Sequence, residues 1–270
     1  MVLMVNKILK DIKYYSKIWF IMSKNSFLVV MSQGYIFSMF LLGKILRFSF
    51  FLTFIYFLIT GSKTVAGYNF TQTTFFFLTF NLIDVISQFL FREVYRFRSL
   101  VVSGDLDLIL SKPMSPLFRV LLGGVDLIDL ITIPPLIVAV WYVGFLLSPG
   151  FPQVVFYILL IFSSLILTTS FHIFVLSMGI LTLEIDHTIM IYRDLIKLGS
   201  LPVDVYKNPL NFILSYIIPI GIMFSLPAKV FMGVLSFKWM IVSFAFSITA
   251  LYVSFRFWKT ALKSYTSASS

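Results

Sequence analysis

Cysteine is absent from this chain of 270 residues, and charged residues are scarce. Without cysteine there is no disulfide framework and no thiolate metal site. Aspartate, glutamate, lysine and arginine make up only 12% of the sequence, whereas 59% of the residues are hydrophobic and the mean hydropathy is +0.99. A water-soluble globule of this length needs more polar surface than that. The composition therefore indicates an integral membrane protein.

The sequence also lacks the short motifs of several common enzyme classes. No Gly-x-x-x-x-Gly-Lys-Ser/Thr loop occurs, so the chain does not bind a nucleotide through a P-loop. His172 and His187 lie fifteen positions apart without a His-Glu-x-x-His pattern, which argues against a zinc site. No Gly-x-Ser-x-Gly elbow is present either. We therefore predict no catalytic residue, no metal ligand and no cofactor bound by this chain.

Long, continuously apolar segments predict an all-α polytopic membrane protein with a single transmembrane domain. A helix rises about 1.5 Å per residue, so about 20 apolar residues cross a hydrocarbon core of about 30 Å. The segments do not alternate with a period of two, as the strands of a membrane barrel would. Six predicted spans follow: 40–60, 70–91, 125–147, 154–181, 210–226 and 239–258.

The distribution of basic residues predicts the orientation of these spans. If both termini and the two polar connectors, 92–119 and 183–209, face the cytoplasm, that side holds 18 lysines and arginines and the other side holds three. Cytoplasmic loops of membrane proteins carry such an excess of positive charge. The net charge of +10 then reflects orientation and contact with anionic lipid, not binding of nucleic acid.

The two ends of the chain are less regular than its middle. In 1–39, apolar and lysine residues alternate at three- and four-residue steps, which predicts an amphipathic helix in the cytoplasmic interface; the start of a longer soluble helix is the alternative. Residues 27–42 either continue that helix into the first span or form an additional short span. Near the other end, Pro219 and Pro227 predict a re-entrant hairpin before the last span, with a plain loop as the alternative.

Polar residues at helical spacing form stripes within two of the spans. A carboxylate at such depth costs about 2.5 to 3.5 kcal/mol on insertion scales, so it is expected to face protein or water. The stripes line either a substrate path or a dimer seam, or they serve interhelical hydrogen bonding. They consist of Asn81, Asp84 and Gln88 in the second span, and of Ser164, Thr168 and His172 in the fourth. Asp126 and Asp129 open the third span, where pairing with Arg119 or hydration is expected.

The polar connector 92–119 predicts a short helix held below the membrane. Gly104 interrupts the helix that leaves the second span, and Asp105 can cap a new helix whose start favours negative charge. Pro113 and Pro116 then end it. An ordinary cytoplasmic loop is the alternative.

The connector also carries a family resemblance. The run from Gly104 to Pro116, Gly-Asp-Leu-Asp-Leu-Ile-Leu-Ser-Lys-Pro-Met-Ser-Pro, resembles the signature of type-2 permeases of bacterial ATP-binding-cassette exporters, in their compact six-span branch. Further similar positions extend over nearly the whole chain, most weakly over 1–40. These are Ala66-Gly67-Tyr68, Gln72, Tyr206, Pro209, Ile218-Pro219, Leu226-Pro227-Ala228 and the stretch from Trp258 to Tyr265.

The resemblance implies a half-transporter in the cytoplasmic membrane that pairs with a second permease, identical or sister, and with two copies of a separate ATPase. That ATPase would bind the ATP and magnesium. In the family, a short helix after the second span docks on the ATPase, and the interfacial N-terminal helix helps to hold it. The resemblance names no substrate. Carried over to this sequence, the docking residues are Arg96, Arg98, Gly104, Asp105, Leu106, Asp107 and Leu110.

Two other functions remain open from the residues alone. One is an intramembrane enzyme that uses Asp84 and His172. The other is a channel or scaffold without an ATPase partner. An Asp84→Asn change would abolish turnover in the enzyme and only modulate transport in a permease.

Overall fold

The computed structural model describes residues 2–32, 34–182, 185–236 and 238–266, and within these ranges the chain is a bundle of helices without a β-strand. An isolated antiparallel bridge joins Val65 and Tyr68. This confirms the predicted all-α polytopic membrane fold. The helices are α1 (Val2–Met31), α2 (Gly34–Ser62), α3 (Phe70–Phe91), α4 (Phe97–Val102), α5 (Asp105–Leu110), α6 (Pro116–Leu122), α7 (Leu127–Leu146), α8 (Phe151–Thr182), α9 (Ile185–Lys197), α10 (Leu210–Ile217), α11 (Gly221–Phe231) and α12 (Lys238–Lys263).

The bundle has two ends, and the long helices run between them. Residues 92–126 lie at one end, called the connector end below, and the turns at 62–69 and 147–150 lie at the other, called the far end. Five helices among the described residues are long and apolar enough to cross a membrane: α2, α7, α8, α12 and the continuous helix that begins with α3. In the described part of α2 only Ile55 is buried, whereas α3 is enclosed by its neighbours and forms the centre of the bundle.

Local sequence explains where these helices begin. Asn69 and Gln72 form a reciprocal capping box at the start of α3, each side chain accepting a hydrogen bond of 3.0 Å from the other's backbone N–H. Asp126 caps α7 by accepting a hydrogen bond of 2.8 Å from the N–H of Ile128. Ser115 precedes Pro116, and this pair opens α6.

Helix α1 lies across the connector end. Tyr14 and Tyr15 contact residues 113–118, and the Trp19 ring lies 6.4 Å from the ring of Phe89 near the end of α3. All these contacts lie at one end of the bundle, so α1 adds no crossing. Residues 27–42 are not a separate span, because α1 ends at Met31 and α2 begins at Gly34.

The prediction that 183–209 is a cytoplasmic connector is wrong for its described part. Helix α9 begins beside the connector end, where Arg98 and Asp186 form an ion pair of 3.2 Å. The chain that follows α9 reaches the far end, where Asp204 accepts hydrogen bonds from Tyr68 at 3.3 Å and from Lys229 at 2.8 Å. The segment 185–204 therefore carries the chain from one end of the bundle to the other. Residues 183 and 184 lie outside the described residues.

The segment 210–231 is a hairpin, and the prediction of a fifth span at 210–226 is wrong. Helices α10 and α11 are bent by 75° at a short break. Both outer ends of the pair return to the same place: Asn211 donates to the carbonyl of Val203 at 2.8 Å, and Lys229 pairs with Asp204. The hairpin therefore enters and leaves at the far end, as expected of a re-entrant element before the last span.

Six crossings result, as expected, with α9 and the residues after it as the fifth. Hydropathy misses this crossing because α9 has only 13 residues and includes Asp186, Arg193, Asp194 and Lys197. Its periodicity is the signal that could have found it. Ile189, Tyr192 and Ile196 recur at three- and four-residue steps, and all three are buried.

Candidate functional site

The connector between α3 and α7 contains the predicted short helix, α5. Gly104 precedes it with a φ of +78°, a conformation that glycine adopts without the strain other residues incur. The hydroxyl of Ser103 donates to the Asp105 carboxylate at 2.7 Å, which closes the turn. Helix α5 is thus set at an angle to α4 by a turn that depends on glycine.

One face of α5 is anchored in the bundle. Leu106 is 0% exposed and Ile109 is 5% exposed, and both belong to an apolar cluster that includes Phe91 of α3 and Leu176 of α8. Leu106, which we predicted to contact a partner, is therefore a core residue. Its burial leaves no surface for a second protein to touch.

The opposite face of α5 is exposed and mixed in character. On α5, Leu108 is 61% exposed and Asp105 and Leu110 are also exposed, and Val102 at the end of α4 is 64% exposed. These four residues form what we call the connector surface: an apolar patch with a carboxylate. Asp105 and Leu110 were predicted from the sequence, but Leu108 was not, because spacing alone does not say which face of a six-residue helix is buried; Val102, in α4, was not predicted either.

Two other parts of the chain brace this connector. The hydroxyl of Tyr14 donates to the carbonyl of Pro113 at 3.4 Å, and the N–H of Ser115 donates to the hydroxyl of Tyr15 at 3.2 Å. From the C-terminal end, Tyr265 lies against Asp107, and burial together with that carboxylate raises the pKa of the Tyr265 phenol. Asp107 therefore faces the end of the chain rather than the connector surface.

The side chains of Arg96 and Arg98 contact different partners, although only one residue separates them in the sequence. Arg98 pairs with Asp186 of α9. Arg96 lies 3.6 Å from Glu93, whose other carboxylate oxygen accepts a shorter bond of 2.6 Å from Arg119. We expected Arg119 to pair with Asp126 or Asp129, but its partner is Glu93.

The two aspartates that open α7 have other cationic partners. Asp129, with a side chain 2% exposed, pairs with Lys44 of α2. Asp126 pairs with Arg92 at 3.3 Å. These pairs tie α2 and the end of α3 to the start of α7 at the connector end.

A polar cluster lies deeper, between α3, α8 and α9. Gln88 donates to Asp84 at 2.6 Å, and Arg193 of α9 donates to the hydroxyl of Tyr95 at 3.1 Å. His172 is 1% exposed, and its Nδ1 lies 2.8 Å from the carbonyl of Thr168. Arg193 was not predicted as a site residue, because the sequence placed it in a cytoplasmic connector.

Among the described residues, the hydrogen bonds of the stripe residues run within their own helices, in place of the interhelical bonds that we expected. Asn81 donates to the carbonyl of Phe77 at 2.7 Å, and Ser164 and Thr168 donate to carbonyls of their own helix. Asn81, Asp84 and His172 are all buried inside the chain, so they do not form an exposed seam. Among the residues that the structure describes, no hydrogen bond joins Asp84 to His172, and no group of three metal-ligating side chains occurs.

Comparison with known proteins gives one match. The family model described as "ABC-2 family transporter protein" matches residues 44–269, which is most of the chain. Searches of curated proteins and of solved structures found no match.

Proposed function

This chain belongs to the ABC-2 family of transporter proteins, and from that premise we propose that it is the permease subunit of an ATP-binding-cassette exporter in a bacterial cytoplasmic membrane. In this proposal the connector end faces the cytoplasm, and a separate ATPase docks there. Two ATPase copies and a second permease, identical or sister, complete the transporter.

The observation that carries the docking proposal is the division of α5 into two faces. Leu108 and Asp105 project outward, where a soluble partner has access, while Leu106 and Ile109 are locked into the bundle. The apolar cluster that holds them also includes residues of α3, α8 and α12, among them Ile83, Leu167 and Trp258. A movement imposed on the connector surface is therefore transmitted to the crossing helices through packed side chains, because a close-packed core resists local deformation.

The exposed side of α9 supports a path or a subunit seam along the fifth crossing. Asp194 and Lys197 pair at 2.7 Å, and their side chains are 70% and 61% exposed. Charged side chains in the membrane normally face protein or a water-filled cavity and not lipid. We propose that this side of α9 faces the second permease or the aqueous path for the substrate.

The docking proposal is tested with Asp105→Lys combined with Leu108→Glu. These changes reverse the charge and remove the apolar contact while leaving the buried face of α5 intact. We expect the variant to insert into the membrane and to elute normally. It should no longer co-purify with the P-loop ATPase that accompanies the unchanged chain from native membranes, and it should no longer stimulate ATP hydrolysis by that ATPase.

The matched control is Asp105→Asn combined with Leu108→Met, which keeps the size and apolar character of the patch. It is expected to retain the ATPase. Retention of the ATPase by the charge-reversed variant would contradict docking at this surface. Absence of any ATPase from complexes of the unchanged chain would contradict the exporter itself.

A further inference from the structure

A cavity of about 260 Å³ lies at the connector end between α1, α2, α3 and α7. One part of its wall is charged and another part is apolar. The charged and polar wall consists of Lys44, Gln88, Arg92, Arg96, Asp126 and Asp129, and the apolar wall includes Val30, Ile36, Phe37 and Phe40.

The charged wall has a cation in excess. Lys44 is matched by Asp129, and Arg92 by Asp126. Within the described part of the chain, the ion pair of Arg96 is with Glu93 at 3.6 Å, and Glu93 is already engaged by Arg119 at 2.6 Å. The Arg96 side chain is 50% exposed, so its guanidinium is free to bind an anion. Guanidinium groups bind phosphate with two parallel hydrogen bonds.

The length of α2 supports a position of this cavity among the lipid headgroups. Helix α2 has 29 residues, and at about 1.5 Å per residue it is longer than the roughly 30 Å hydrocarbon core. We place its first turns, with Ile36, Phe37 and Phe40, in the headgroup region. Helix α1 ends beside them, and its residue Val30 also lines the cavity.

We propose that this cavity binds an anionic phospholipid from the leaflet at the connector end. The phosphate lies against Arg96 and Arg92, and the acyl chains pass along the apolar side chains at the start of α2. Phe40 is 60% exposed and extends this apolar wall outward from the cavity. A soluble phosphate compound would leave the apolar wall uncovered, so the two walls together favour a lipid.

Arg96 was predicted from the sequence to dock the ATPase, and the proposed site instead assigns it to lipid binding. Arg96 lines the cavity, whereas Arg98 faces α9. The bound lipid would tie α1 to α2 and α3, and α1 in turn contacts the connector at Pro113 and Ser115.

The test compares Arg96→Gln with Arg98→Gln in the full chain. Each variant loses one positive charge, and only the first alters the cavity. Purified proteins are exchanged into detergent with equal amounts of phosphatidylglycerol and phosphatidylcholine, and retained lipid is counted by native mass spectrometry. The unchanged chain is expected to retain phosphatidylglycerol preferentially. Arg96→Gln is expected to weaken that retention about tenfold, as loss of a charge-assisted hydrogen bond predicts, and Arg98→Gln is expected to leave it unchanged.

Four results would overturn the proposal: no preference for phosphatidylglycerol in the unchanged chain, an equal loss in both variants, full retention by Arg96→Gln, or displacement of the lipid by inorganic phosphate. Millimolar inorganic phosphate separates the two possible sources of a phosphate group. It should not displace the lipid, because it lacks acyl chains, and displacement would assign the cavity to a soluble anion instead. Thermal unfolding of both variants, expected to match the unchanged chain, checks that the fold is intact.

Discussion

The ion pair between Lys44 and Asp129 supports a quantitative prediction, because α2 has few other attachments to the bundle. Ile55 is the one buried residue in the described part of α2. The rings of Phe51 and Phe48 lie 4.2 and 5.6 Å from the ring of Phe77, and the Lys44–Asp129 ion pair ties α2 to the start of α7. We consider the change Lys44→Met, which keeps the aliphatic length of the side chain and removes its charge.

The magnitude follows from the burial of the carboxylate. Asp129 is 2% exposed, so removal of its partner leaves an uncompensated charge inside the bundle. Breaking a buried pair in this way costs about 3 to 5 kcal/mol, whereas replacing both members by apolar residues is often neutral. We therefore expect Lys44→Met to be strongly destabilising and Lys44→Met with Asp129→Leu to recover most of the loss.

The assay is thermal unfolding in detergent. Its readout is the fraction of protein that still elutes as a monodisperse peak after heating to each temperature. For a domain of this size, a loss of about 1 kcal/mol in the free energy of unfolding lowers the melting temperature by about 2 to 4 °C. The single variant should therefore unfold at a temperature about 6 to 20 °C lower than the unchanged chain does. Arg98→Gln is the control, since both members of its pair are more than half exposed. Exposed pairs contribute about 0.2 to 1 kcal/mol.

Two outcomes would refute this reasoning. One is a Lys44→Met variant as stable as the unchanged chain, which would mean that the pair does not hold α2. The other is a double variant as unstable as the single one, which would mean that the loss does not come from the unpaired carboxylate of Asp129. Both variants lack the Lys44 charge in the lipid cavity, so the comparison between them isolates the carboxylate.

Two further predictions concern the connector and the far end. Leu106→Ala should lower the free energy of unfolding by about 2 to 5 kcal/mol, because this side chain is fully buried. Leu108→Ala should change it by less than about 0.5 kcal/mol, because this side chain is exposed. Equal melting temperatures of the two variants would contradict the assigned faces of α5. At the far end, burial and the neighbouring Asp204 raise the pKa of Tyr68 from 10.0 to about 12. The stability that this phenol contributes is complete below its unfolded pKa and is lost as the pH rises through its folded pKa, so unfolding should become easier between these values. Tyr68→Phe should reduce that pH dependence, and an identical dependence in both proteins would contradict the contact.

The connector shows how far sequence reasoning reached at the candidate site. Gly104 and the two prolines marked the limits of a short helix, because these residues act on the backbone locally, and the helix is where they predicted it. Which side of α5 faces outward depends on the bundle against which it packs. Leu106 and Leu108 are chemically identical, yet one is fully buried and the other is largely exposed.

The fifth crossing shows which part of the fold could not be predicted from the sequence. Hydropathy is summed along the chain, so the apolar hairpin 210–231 resembled a span, and the charged helix α9 resembled a loop. Arg193 is tolerated in α9 because Tyr95 lies within hydrogen-bonding distance, and that partner is distant in sequence. Only the folded bundle brings the two together.

Composition by itself determined that this is an all-helical membrane protein, because transfer of apolar residues into lipid is an additive property of the chain. The tertiary structure decided which segments cross, which carboxylate each cation meets and which face of α5 is exposed. These features depend on contacts between residues far apart in sequence, such as Lys44 with Asp129 and Tyr68 with Asp204. A local sequence pattern does not indicate such contacts.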